Sequence, residues 1–76
     1  MKAQVYCHNE LQKELEVKQG CTVEEILPEV PVKYPVLSCR ISNVNQRLDS
    51  TLQEEGRIDL LDIQDNYANM SYQASL

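Results

Sequence analysis

The chain contains no phenylalanine and no tryptophan, and only two glycines and one histidine among its 76 residues. With four tyrosines as its only aromatic side chains, its core must be built from valine, leucine, isoleucine and cysteine. Gly20 and Gly56 are too far apart to form a G-x-x-x-x-G-K-[ST] loop, so the backbone cradle that holds nucleotide phosphates is absent. No stretch approaches the roughly 20 apolar residues of a membrane-spanning helix. The first eight residues, Met1 to His8, hold no apolar run of signal-peptide length. A cytoplasmic protein is expected. Seven basic residues stand against twelve acidic ones, for a net charge of −5, and the basic ones are scattered with no cluster of three. Proteins that track a phosphate backbone need local Lys and Arg to displace counterions. The charge pattern therefore argues against nucleic acid and against an anionic membrane surface, and it favours solubility.

Three cysteines, Cys7, Cys21 and Cys39, are widely spaced and form no C-x-x-C. Structural zinc sites draw on paired ligands two to four residues apart, and the lone His8 beside Cys7 does not complete such a set. Neighbours on a strand point to opposite faces, which also argues against a Cys7–His8 nucleophile pair, as does the lack of a third orienting group. The expectation is free, largely buried thiols in a reducing compartment, with no metal and no cofactor.

What is present is a sequence of strand patterns around one helix signal. Over 4–8, Val5 and Cys7 alternate with Gln4, Tyr6 and His8, which predicts a half-buried strand. Asn9-Glu10 is a turn candidate, and 11–17 predicts a second strand with Leu15 and Val17 inward, making a hairpin. Thr22-Val23-Glu24-Glu25 has the S/T-x-x-E spacing of a capping box. Val23, Ile26 and Leu27 supply one apolar stripe. Pro28 limits the helix to about two turns. Glu24 and Glu25 are explained by capping and by the positive end of the helix dipole, without acid–base chemistry.

After an extended, proline-containing connector over 29–35, residues 36–42 predict a third strand with Leu37, Cys39 and Ile41 inward. Asn43-Val44-Asn45 reads as a turn and 46–48 as a very short strand. The strongest strand pattern is the last, Arg57-Ile58-Asp59-Leu60-Leu61-Asp62-Ile63. Its adjacent leucines suit a central strand, apolar on both faces.

A chain of this size buries only about 60% of its unfolded surface, so it holds one small core. An enclosed catalytic pocket of roughly 300–1,000 Å³ has little room beside it. The order strand, strand, helix, strand, short strand, strand predicts an α+β fold. It is a β-grasp with a mixed four- to five-stranded sheet, one short helix across one face, and the last strand parallel to the first. The expected core is Val5, Cys7, Leu15, Val17, Val23, Ile26, Leu27, Leu37, Cys39, Ile41, Ile58 and Leu60. The domain is expected to span 1–64, with 65–76 a polar, poorly ordered tail or linker toward a following domain.

Five segments carry a family resemblance. They are Leu15-Glu16-Val17, Gly20-Cys21-Thr22-Val23-Glu24-Glu25-Ile26, Val36-Leu37-Ser38-Cys39-Arg40-Ile41-Ser42-Asn43, Leu48-Asp49-Ser50-Thr51-Leu52 and Ile58-Asp59-Leu60-Leu61-Asp62-Ile63. Together they resemble the TGS family, the ubiquitin-like β-grasp module of threonyl-tRNA synthetases, certain GTPases and (p)ppGpp synthetase/hydrolases. Lys33-Tyr34-Pro35-Val36-Leu37 and Met70-Ser71-Tyr72-Gln73-Ala74-Ser75-Leu76 are similar to the TGS-like segment before the catalytic domain of some bacterial uridine-kinase-like nucleoside kinases. The tail departs from that pattern in having Ala68-Asn69-Met70 for Asp-Gly-Met and Ala74 for an arginine. The resemblance implies a non-catalytic accessory or regulatory domain from such a kinase. Its partner would be the neighbouring catalytic domain, with a nucleotide as a second candidate ligand.

On the sheet face opposite the helix, Tyr6, His8, Arg40 and Asp59 are expected to gather into a polar patch for a nucleotide, a peptide or a neighbouring domain. The alternative is a solvated sheet face with a cross-strand Arg40–Asp59 ion pair worth at most about 1 kcal/mol. Other readings are a stand-alone ubiquitin-like interaction module, an RNA- or nucleotide-binding TGS module, and a sulfur carrier. The last would need a C-terminal Gly-Gly, where this chain has Gln73-Ala74-Ser75-Leu76.

Overall fold

Two tight hairpins and one capped helical turn organise residues 1–64, which the computed structural model describes. The predicted tail over 65–76, including the kinase-like segment over 70–76, lies outside the described residues. In chain order the elements are β1 (Lys2–Cys7), β2 (Glu10–Glu16), α1 (Val23–Ile26) with a 3-10 turn at Leu27–Glu29, β3 (Val36–Ile41), β4 (Val44–Gln46) and β5 (Gly56–Asp62). They form one sheet in the order β2-β1-β5-β3-β4. β5 lies parallel to β1 and antiparallel to β3. This is the expected α+β, β-grasp arrangement.

Both hairpins turn through the same device. Cys7 pairs with Glu10, and the two residues between them, His8 and Asn9, have φ of 53° and 64°. Ile41 pairs with Val44 across Ser42 and Asn43, with φ of 52° and 64°. Two consecutive left-handed residues make the turn whose twist matches that of paired strands, and asparagine tolerates that conformation better than most residues. The first turn thus comes one residue earlier than the predicted Asn9-Glu10. The second is tight enough that β4 begins at Val44, where a turn was expected, and ends before Leu48.

The helix is capped as its sequence spells. Glu25 N donates to Thr22 Oγ1 and Thr22 N donates to Glu25 Oε1, each at 3.3 Å. Its α-helical part is four residues, and Pro28 enters the tighter 3-10 turn that follows, so it is shorter than the predicted two turns. A helix this short leaves most of its amides without intrahelical partners. The segment over 48–52 takes two of them, with Glu24 N donating to Leu48 O at 2.9 Å and Val23 N to Ser50 O at 3.3 Å. Two further bonds, Gly20 N to Leu52 O and Leu52 N to Cys21 O, both 2.7 Å, seat Leu52 in the core at 2% exposure.

The core lies between α1 and the inner face of the sheet. Val5, Cys7, Leu15, Val23, Ile26, Cys39, Ile58 and Leu60 are buried as expected, and Val17, Leu27 and Ile41 pack partly buried against them. Ala3, Val30 and Leu52 join the core without having been predicted. Leu37 does not point inward and is 48% exposed. The cause is a bulge. Val36 pairs with Asp62 and Ser38 with Leu61, so Leu37 is the extra residue on β3 and drops out of the alternation. The outer strands are guarded differently, β4 by being three residues long and β2 by exposed Glu10, Lys13, Glu14 and Glu16.

Truncating Leu60 to alanine is expected to cost about 2–5 kcal/mol in urea unfolding, because it opens a cavity in the central strand. Leu37→Ser should stay within about 0.5 kcal/mol of the parent. A comparably large loss for Leu37→Ser would show that the bulge is absent in solution.

Candidate functional site

The pairing of β5 with both β1 and β3 builds a row across the helix-free face. Tyr6 is opposite Asp59 on one side, and Arg40 is opposite Asp59 on the other. Three of the four predicted residues therefore lie in one cross-strand row. Leu11, paired with Tyr6, extends the row onto β2 and is 55% exposed.

The organising residue of this face is one the sequence reading passed over, Arg57. Its guanidinium lies 3.9 Å from the centroid of the Tyr6 ring. It also grips Asp59, with Nη2 2.7 Å and Nε 3.0 Å from Oδ1, and it reaches Asn9 Oδ1 at 3.2 Å. The hydrogen bonds to Asp59 raise the Arg57 pKa further above its already high value. Arg57 and Asp59 are i and i+2 on one strand, so they share a face, and strand alternation alone was enough to reveal the pair. Asp59 is thus taken by its own strand. The Arg40–Asp59 ion pair of the alternative reading is not formed among the described residues, and Arg40 Nε instead donates to Asn45 Oδ1 at 3.1 Å. Arg40, Arg57, Asp59, Asn9, Asn43 and Leu61 help line a shallow depression of about 590 Å³. Two arginines against one aspartate make it locally positive on an acidic chain.

His8 borders the same depression, but its ring nitrogen is engaged elsewhere. Nε2 is 2.9 Å from Asp62 Oδ2. The same oxygen accepts from Cys7 Sγ at 3.9 Å, and Gln64 N donates to Asp62 Oδ1 at 3.0 Å. Cys7 and His8 therefore converge, contrary to the opposite-face expectation. The reason is local. The left-handed backbone of His8 ends the strand alternation and swings the imidazole round the end of the sheet. Asp62 is 2% exposed, and no other charged side chain among the described residues is buried. It lies on the inner face of β5, two residues beyond Leu60, the partner of Cys7. One ligand-type atom from each of Cys7, His8 and Asp62 falls within a 4.8 Å span. Beside the cluster a cavity of about 330 Å³ opens between the first hairpin and the 31–34 connector, with Glu10, Gln12, Val32 and Tyr34 among its walls.

The remaining thiols differ. Cys39 is fully buried, and its Sγ is 3.6 Å from Gln46 O and 3.7 Å from Arg47 O. Burial pushes its pKa up. Cys21 is only partly buried.

No protein-family model, no curated protein and no solved structure matches the chain.

With its pKa raised by folding, Cys39 ionises first in the unfolded chain. Its contribution to stability is complete below the unfolded thiol value, about 8.5, and is lost as pH rises through the folded one. Under reductant, the urea midpoint of the parent should fall more steeply above about pH 8.5 than that of Cys39→Ala. Equal slopes would mean that the thiol is not desolvated.

Proposed function

We propose that the chain is a non-catalytic accessory module of TGS-like type, part of a cytoplasmic, uridine-kinase-like nucleoside kinase, working by contact with the neighbouring catalytic domain. The observation that carries this reading is the helix-free sheet face, with Arg57 stacked on Tyr6, Arg40 alongside, and exposed Leu11 at its edge. A rigid aromatic with a stacked guanidinium is a frequent anchor of protein contacts. The face mixes those groups with apolar area and is set on β1, β3 and β5, the three inner strands. The family resemblance supplies the identity of the partner. The lack of a phosphate-cradling loop in the sequence favours an accessory role. No helix among the described residues is long and apolar enough to cross a membrane.

Two measurements test the reading. The coding frame beyond Leu76 should continue into a G-x-x-x-x-G-K-[ST] motif, and a frame that lacks one removes the kinase assignment. The isotope-labelled chain, titrated with the catalytic domain encoded by that frame, should show amide shifts concentrated at Tyr6, Arg40, Arg57 and Asp59. Uridine, nucleotides and a short RNA should leave those amides in place. Shifts produced by a nucleotide alone would replace domain contact with ligand sensing.

A further inference from the structure

We infer that Cys7, His8 and Asp62 form a binding site for a divalent cation of the zinc class, independent of the sheet-face contact. Three lines of geometry carry the inference.

The first is the donor set. A thiol, an imidazole and a carboxylate bring one sulfur, one nitrogen and one oxygen within a 4.8 Å span. Mixed sulfur, nitrogen and oxygen donors suit a borderline cation such as zinc, whereas magnesium and calcium take oxygen ligands. The second is fit. A tetrahedral zinc with ordinary bond lengths would place its nitrogen and oxygen ligands about 3.3 Å apart and its sulfur and oxygen ligands about 3.5 Å apart. His8 Nε2 and Cys7 Sγ lie 2.9 and 3.9 Å from Asp62 Oδ2. Those two separations each change by about 0.4 Å to receive the ion, and the sulfur–nitrogen separation, up to 4.8 Å, closes to about 3.6 Å. The third is support. Cys7 and Asp62 lie on β1 and β5, the parallel pair at the middle of the sheet, and His8 is fixed by the two-residue left-handed turn. Sites set on strands and tight turns hold their ligands more accurately than sites on long loops.

Asp62 is also the costliest residue in the inner layer. A carboxylate buried to 2% exposure is kept only where it is paired, hydrogen-bonded or bound to metal, and an apolar residue there would extend the core. The contacts from His8, Cys7 and Gln64 already meet that condition, and a bound cation would take over the first two. Among the described residues the cluster supplies three of the four ligands of a tetrahedral ion. The cavity walled by Glu10, Gln12 and Tyr34 adjoins the cluster. A bound ion would tie the β1–β2 turn to the end of β5, where the described chain leaves the sheet.

The test is a titration of the whole chain, freed of metal by chelation and kept reduced, with cobalt(II) and then zinc. Cobalt should bind one to one, with a thiolate-to-cobalt charge-transfer band and the visible bands of tetrahedral coordination. Zinc should displace it. At zinc ten times its Kd, Tm should rise by about 5–10 °C. Cys7→Ser should abolish the charge-transfer band. His8→Asn, chosen because asparagine tolerates the left-handed turn, should weaken zinc binding by about 100-fold or more, with the zinc-dependent Tm rise referred to the metal-free variant because the substitution also removes the His8–Asp62 contact. Absence of one-to-one binding, a cobalt spectrum without the thiolate band, or binding that survives in either variant would overturn the site. These outcomes do not depend on the catalytic-domain contact, which is read from different residues.

Discussion

Parallel pairing of β5 with β1 is the constraint on which the other placements rest. It aligns Val5 with Ile58 and Cys7 with Leu60, which sets the inner face against the helix. In the same register it aligns Tyr6 with Asp59 on the outer face. Because strand side chains alternate with a period of two, a slip of one residue would exchange the two faces and expose the core. The hydrophobic alternation of both strands opposes that slip, since burial of a side chain such as Ile or Leu is worth about 1.5–3 kcal/mol. The core thereby fixes the geometry of the outer face, although no outer-face residue contributes to it.

The two ends of this pair behave differently. In the middle, alternation is regular and the faces are cleanly divided. At the Cys7 end, three local departures from regular strand structure coincide: the left-handed His8–Asn9 turn, the bulge at Leu37 and the buried Asp62. The bulge brings Val36 opposite Asp62 and the turn brings His8 over it. Sequences depart from ideal patterning most often where function or strain requires it. The concentration of such departures at one end of the sheet marks it as the least ordinary part of the domain. The Arg57–Tyr6–Asp59 arrangement, by contrast, follows from strand alternation and the continuous register of β1 with β5.

Much of this was legible from local pattern. The helix start was written in Thr22 and Glu25, the inward residues of β1 and β5 in their alternation, and the central position of β5 in its doubly apolar run. What escaped shares one physical cause. Leu37 was misplaced because a bulge is a property of two strands paired with unequal residue counts, and one strand's pattern does not contain it. Leu52 and Val30 were missed because they sit in irregular segments whose burial comes from what packs over them. His8 was assigned by strand alternation to the face of Tyr6, but its backbone had already left the strand.

Local pattern was sufficient for the main strands, the capping box and the β-grasp order, because propensity, periodicity and capping act over a few residues. Which side chains become neighbours across the sheet is set by the folded arrangement of the strands. Asp62 and His8 are separated by 54 positions and meet at 2.9 Å; Arg57 and Asn9, 48 apart, meet at 3.2 Å. Such contacts depend on register, on the handedness of a turn and on a single extra residue in a strand. Those are settled by the packing of the whole core and by the pairing of every buried backbone group, so no short window of the chain encodes them.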